Sequence, residues 1–255
     1  MRIIKVRNKE NLHRQTANVI ASQIILKPDS VLGLATGSTP EGTYQQLIQL
    51  YQSGDLDFSH VRTFNLDEYV GISAKHPQSY AYFMRSKLFD QINIDLSRTH
   101  IPDGMVSNSS RECEHYDELV QKAGGIDLQL LGLGPNGHIG FNEPGISWTR
   151  ETHRVKLSDA TIDANQRFFP SRDEVPRYAY TLGIQGIMQA RHVLMIVSGE
   201  SKAQIVYDAF FGHITPRIPA SILQLHPHFT LIVDQEAGNL IPDANIEHPY
   251  QPLAV

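Results

Sequence analysis

Short apolar runs recur along the chain, separated by segments whose apolar residues fall three or four apart. Arg2–Val6, Val31–Ala35, Val61–Leu66, Asp127–Leu133, His192–Val197 and Phe229–Val233 are five to seven residues long and, Val61–Leu66 excepted, mainly apolar between their ends. Such continuous runs predict strands buried on both faces. Between them, Asn11–Ile25, Pro40–Gln52, Ser79–Phe89, Glu112–Lys122 and Ser201–Phe210 read as helices with one apolar face. Strands alternating with helices predict an α/β fold: a single domain over residues 1–255, with a largely parallel, doubly wound sheet and helices on both faces. No internal repeat, low-complexity tract or linker divides it. The Pro- and Arg-containing stretch Phe168–Tyr178, within a broader segment of about 157–178, is the candidate mobile flap.

Composition narrows the function classes. Of 255 residues, 41% are hydrophobic and 19% charged, which is ordinary for a globular protein. The net charge of −5, with no basic block, argues against a nucleic-acid partner, because phosphate binding along a duplex needs a clustered positive face. No apolar run is long enough to span a membrane, and the first residues lack the apolar core of a signal peptide. Cys113 is the only cysteine, so no internal disulfide can form. A cytoplasmic protein is expected.

Three predicted strands end in loops of unusual chemistry. Val31–Ala35 leads into Thr36-Gly37-Ser38-Thr39-Pro40 and a helix. Gly37 permits close backbone approach, and the hydroxyls of Ser38 and Thr39 add donors at a helix start that attracts anions. The same residues would equally make a plain helix cap. Val61–Leu66 leads into Asp67-Glu68-Tyr69. Adjacent carboxylates at a strand end sit where open α/β sheets bind ligands, although the segment by itself reads more readily as a solvated turn. The third loop, Gly134–Gly145, follows Leu133: in LLGLGPNGHIGFNEPG, His138 and Glu143 stand five residues apart among glycines. That spacing does not suit one helical face, but a loop can present both as an acid–base pair. Of the cations, Arg167 precedes the candidate flap, and Lys202 opens a helix where its charge opposes the macrodipole, a placement that fits a residue kept to meet an anion. Asp67, His138 and Glu143 could in principle bind zinc or iron, but no HExxH or paired-His spacing supports a metal.

Taken together, LGLATGSTPEGTY, TFNLDEYVGI, SYAYFM, LGLGPNGHIGFNEPG, RFF, SGESKA and PASILQLHP resemble the glucosamine-6-phosphate deaminase (isomerase) family, in order, over about residues 31–234. The resemblance implies a Rossmann-like fold and conversion of glucosamine 6-phosphate and water to fructose 6-phosphate and ammonia, with no cofactor and no metal. It implies that His138, oriented by Glu143, assists ring opening and that Asp67 moves a proton from C2 to C1. It likewise implies a phosphate anchor made of Gly37, Ser38, Thr39, Arg167 and Lys202. Asn136 stands where some members carry Asp, and it cannot ionise. Where regulated members carry basic and hydroxyl residues, this chain has Ile146, His153 and Val155. No activation by N-acetylglucosamine 6-phosphate is therefore expected, and a monomer or small homo-oligomer rather than a hexamer. The related sugar-phosphate lactonases share the glycine-rich loop but continue with a Ser-Leu-Phe-Pro-like segment, where this chain has Phe141-Asn142-Glu143-Pro144. A galactosamine-6-phosphate deaminase, a 6-phosphogluconolactonase-type hydrolase and a non-catalytic sugar-phosphate sensor are the alternatives.

Overall fold

The computed structural model describes residues 1–247. In chain order the elements are β1 (Arg2–Val6), α1 (Lys9–Leu26), β2 (Val31–Leu34), α2 (Glu41–Gln52), β3 (Arg62–Asn65), β4 (Asp67–Tyr69), α3 (Tyr80–Lys87), β5 (Thr99–His100) and α4 (Ser109–Lys122). There follow β6 (Leu128–Leu131), β7 (His153–Lys156), α5 (Asp159–Asn165), β8 (Tyr178–Thr181), α6 (Ile184–Met188), β9 (His192–Val197), α7 (Ala203–Phe211) and β10 (Phe229–Asp234). Seven strands form one sheet in the order β1-β10-β9-β6-β2-β3-β5, with every pair parallel.

The period-two alternation of the strands divides the interior around the large sheet into two cores. Val193, Met195, Leu231 and Val233 face one way, while Leu194, Ile196 and Ile232 face the other. Helices cover both faces, so both side-chain sets are removed from water, which is why the strands read as unbroken apolar runs. On the second face, Leu12, Ile20 and Ile24 of α1 recur at helical spacing and are buried against the sheet. Asn8 caps α1 by accepting from the Asn11 N–H at 2.9 Å. From β2 the chain moves outward to β3, and from β6 it moves the other way to β9. The loops after β2 and β6 therefore flank the point where strand order reverses, where open α/β sheets bind ligands.

A second sheet is absent from the sequence-based reading. It has three antiparallel strands in the order β4-β8-β7, with Asp67 opposite Thr181. The segment Asp67-Glu68-Tyr69 is thus not a solvated turn: it is a buried strand, with Asp67 at 6% and Glu68 at 2% exposure. Three residues are too few to display a period, so only pairing with β8 identifies β4. The short β5, β7, β8, α5 and α6 escaped sequence reading for the same reason. Among the described residues, no helix is long and apolar enough to cross a membrane.

Candidate active site

A cleft of about 210 Å³ lies at the C-terminal ends of β2 and β6. Gly37, Ser38, Thr39, Asp67, His138 and Arg167 line it, so six of the nine singled-out residues meet in one place. Asn136, Glu143 and Lys202 are not on its wall; each lies one contact behind it.

On the β2 side, α2 begins at Glu41 with Pro40 as its cap, and no side chain caps it. Of the two readings open for this loop, the plain cap by Ser38 or Thr39 is not the one formed. Among the described residues neither hydroxyl has a protein partner, so both remain available to a ligand at the helix start. Arg167 reaches the cleft from the other side, on a short 3₁₀ turn after α5, with its guanidinium 4.7 Å over the Phe168 ring.

Asp67 is held by the β4–β8 pairing against the glycine-rich loop. Gly140 has φ of +58°, and a Cβ there would lie 2.9 Å from Thr181 Oγ1 and 3.4 Å from Asp67 Oδ2. Only glycine lets the loop pass so close in that conformation. The Phe141 N–H then donates to Thr181 Oγ1 at 3.0 Å, fastening the loop to β8. The Asp67 carboxylate receives no hydrogen bond among the described residues. Burial, aided by the neighbouring Glu68 charge, pushes its carboxyl up to about 8. Glu68 points the other way, accepting N–H groups from Tyr69, Tyr80 and Ala81 at 2.8, 2.9 and 2.8 Å. Burial nevertheless pushes it up to about 7, outweighing those bonds.

Glu143 has the opposite environment. Burial works to raise its pKa, but the nearby His138 ring, Thr161 and Asn136 bring it down to about 2. Asn136 Nδ2 donates to Glu143 Oε2 at 2.9 Å, and Asn136 Oδ1 accepts the His138 N–H at 3.2 Å. Ser158 Oγ donates to Glu143 Oε1 at 3.2 Å, and the Thr161 hydroxyl donates to the same oxygen. His138 Nδ1 stands 3.7 Å from Glu143 Oε2, beyond hydrogen-bond reach but close enough for charge interaction. That nitrogen is buried without a partner among the described residues, so a small ring movement toward Glu143 would satisfy it. The imidazole also lies on Gly134, where a Cβ would come within 2.2 Å of Nε2.

Two carboxylates in one site thus have their proton affinities driven apart, one exposed to the cleft and proton-hungry, one saturated and firmly ionised. Such a pair can divide base and electrostatic roles. Ser158 and Thr161 were missed in sequence, although Ser158-Asp159-Ala160-Thr161 is a readable cap: Ser158 Oγ accepts the Thr161 N–H at 3.2 Å and starts α5. What only the fold reveals is that this cap also grips Glu143. Lys202 Nζ donates to the carbonyl of Leu133, a cleft residue, at 2.7 Å, and burial lowers its ammonium to about 8.

The fold and site define an α/β protein whose paired carboxylates, histidine and uncapped helix start meet at the switch point of a parallel sheet. The chain belongs to the family of glucosamine-6-phosphate isomerases/6-phosphogluconolactonase, whose pattern matches residues 7–232. It is 49% identical to the glucosamine-6-phosphate deaminase of Thermoanaerobacter pseudethanolicus (strain ATCC 33223 / 39E), over 97% of this chain and 98% of that one. The solved structure of a monomeric glucosamine-6-phosphate deaminase superposes with a TM-score of 0.92 at 46% identity, covering 94% of this chain and 100% of that one. The 6-phosphogluconolactonase of Trypanosoma brucei shares the fold at a TM-score of 0.74 and 20% identity, covering 94% of this chain and 98% of that one.

Proposed function

We propose that this protein converts glucosamine 6-phosphate and water to fructose 6-phosphate and ammonia. The observation that carries the reading is the Asp67 carboxylate, buried in the cleft wall, free of donors among the described residues and poised to accept a proton. In this reading the phosphate dianion rests on the Gly37–Thr39 backbone and hydroxyls, with Arg167 and Lys202 supplying charge. Arg can grip phosphate through several donors, while Lys acts as a point charge with two N–H groups left after Leu133. His138 takes the anomeric hydroxyl proton and returns it to the ring oxygen, giving the open-chain aldehyde. Glu143, firmly ionised, stabilises the imidazolium that forms between those steps, and Asn136 holds Glu143 in place. Asp67 then removes the C2 proton while the aldehyde oxygen takes one from water, giving an enolamine. Asp67 returns its proton to C1, giving an iminium at C2 that loses an N–H proton to water and becomes the imine. Water adds to that carbon and ammonia leaves, so atoms balance without an oxidant or reductant.

Identity of about half the residues with a named deaminase, over nearly the whole of both chains, supports this chemistry over the lactonase reading, which has the shared family and a solved lactonase at 20% identity behind it. Asp67 also has no carbon acid to serve in lactone hydrolysis. Ile146, His153 and Val155 in place of basic and hydroxyl residues support an enzyme without N-acetylglucosamine 6-phosphate activation, and the likeness to a monomeric deaminase supports a monomer. The segment 157–178, carrying Thr161 and Arg167 over the cleft, is read as a flap that closes on substrate, and a cytoplasmic location belongs to the same reading. The test is to supply glucosamine 6-phosphate, galactosamine 6-phosphate and 6-phosphogluconolactone in parallel. Equimolar ammonia and fructose 6-phosphate from the first is expected. Turnover of the lactone alone, or binding without turnover, would overturn the assignment.

A further inference from the structure

The last strand of the large sheet ends in a carboxylate that touches no part of the cleft. Asp234 is 4% exposed and sits beside Ser198, because β10 and β9 run parallel with Val233 opposite Val197. Its carboxylate accepts the Ser198 hydroxyl at 2.5 Å, the Gly199 N–H at 3.1 Å to each oxygen, and the Ala237 N–H at 2.8 Å. Both oxygens are thereby used to fix the turn that leaves β9. One turn later the Lys202 N–H donates to the Gly199 carbonyl at 3.0 Å, and Lys202 Nζ reaches the Leu133 carbonyl. A long flexible side chain loses considerable rotamer freedom when held in one place, and among the described residues a single acceptor, the Leu133 carbonyl, holds this ammonium. Most of the positional information must therefore come from the backbone that launches it.

We propose that Asp234 is a positioning residue for substrate phosphate, acting through the Ser198–Gly199 turn to aim Lys202 at the cleft. The proposal rests on the reading of Lys202 as a phosphate anchor. It predicts a specific split: loss of Asp234 weakens capture of the phosphorylated substrate and leaves the proton transfers at the other end of the sugar nearly untouched. A remote phosphate grip contributes to binding in ground and transition state alike, so its loss falls on KM rather than kcat.

The experiment is a double-mutant cycle between Asp234→Ala and Lys202→Ala, reading KM, kcat and competitive inhibition by inorganic phosphate. Asp234→Ala is expected to raise KM and the phosphate inhibition constant tenfold or more, with kcat within threefold of the parent. On a Lys202→Ala background it is expected to add less than twofold, because the residue it aims is gone. Asp234→Asn should recover KM to within threefold: its oxygen can keep the Gly199 and Ala237 N–H groups, and its amide can donate to Ser198. Full additivity in the double mutant would overturn the proposal, as would an unchanged KM in folded Asp234→Ala. Should Asp234→Ala not fold, Ser198→Ala, which deletes one contact and keeps the buried carboxylate, gives the same readout at about threefold, again vanishing on the Lys202→Ala background. An unchanged KM in Lys202→Ala alone would sink the phosphate-anchor reading, and the route proposed for Asp234 with it.

Discussion

At the scale of single residues, burial makes Asp67 costly to stability at the position where the proposed function needs a base. Its folded carboxyl titrates at about 8 against an ordinary 3.8, so the folded state holds a proton that the unfolded chain releases between those values. Stability from this group is complete below 3.8 and falls as pH rises toward 8. Asp67→Asn should therefore melt higher than the parent at pH 7 and no higher at pH 3.5, while kcat falls by about 10²–10⁴, the usual worth of a placed acid–base group. Paired calorimetry and turnover measurements check both. The pH profile of kcat/KM should also be narrow. Asp67 must lose its proton near 8, and Lys202, lowered to about 8 by burial, must keep its own. Lys202→Arg should lift the alkaline limb out of range and leave the acid limb, because guanidinium does not titrate there. An alkaline limb unmoved by that substitution would show that Lys202 does not control the free enzyme. His138 and Glu143 were legible in sequence as a loop-borne pair. The standing of Asp67 was not, since two adjacent carboxylates carry no sign of which one the fold leaves without donors.

At the scale of elements, α5 links the site to the segment above it. Ser158 caps the helix and donates to Glu143, Thr161 donates to the same carboxylate, and Arg172 pairs with both Asp159 and Asp163 of α5. The Arg172 pairs are exposed and should matter little to stability. The cap should matter to both stability and rate. Ser158→Ala is expected to cost about 1 kcal/mol, seen as a melting shift of about 2–4 °C for a chain of this size. It should also lower kcat as Glu143 loses a donor, measured under saturating substrate. A variant that melts earlier with unchanged kcat would separate the cap from the chemistry. The long elements of the large sheet were readable because six-residue apolar runs and three-turn helices display their periods. The small sheet was not, because β4 and β7 are defined by their pairing with β8 and not by their own residues.

At the scale of the whole molecule, the parallel sheet buries both faces and leaves the cleft at the one place where two neighbouring strands send their connections in opposite directions. Regulation is expected to be absent at this scale too. Ile146 is 97% exposed, and His153 and Val155 sit on β7, at the edge of the small sheet. Substrate saturation should be hyperbolic and indifferent to N-acetylglucosamine 6-phosphate, with sedimentation reporting a monomer; a sigmoidal curve relieved by that compound would contradict the reading. The sequence by itself determined the alternation of buried strands and amphipathic helices, hence the α/β class, and it marked the loops after β2 and β6 as chemical. These are local properties, written in the spacing of apolar residues and in glycine, histidine and carboxylate side chains. Only the tertiary structure decided that Asp67 is buried with no donor among the described residues while Glu143 is saturated, that Ser158 and Thr161 join the site, and that Asp234 stands behind Lys202. Those properties depend on desolvation and on partners tens of residues away, and neither exists until the strands have paired.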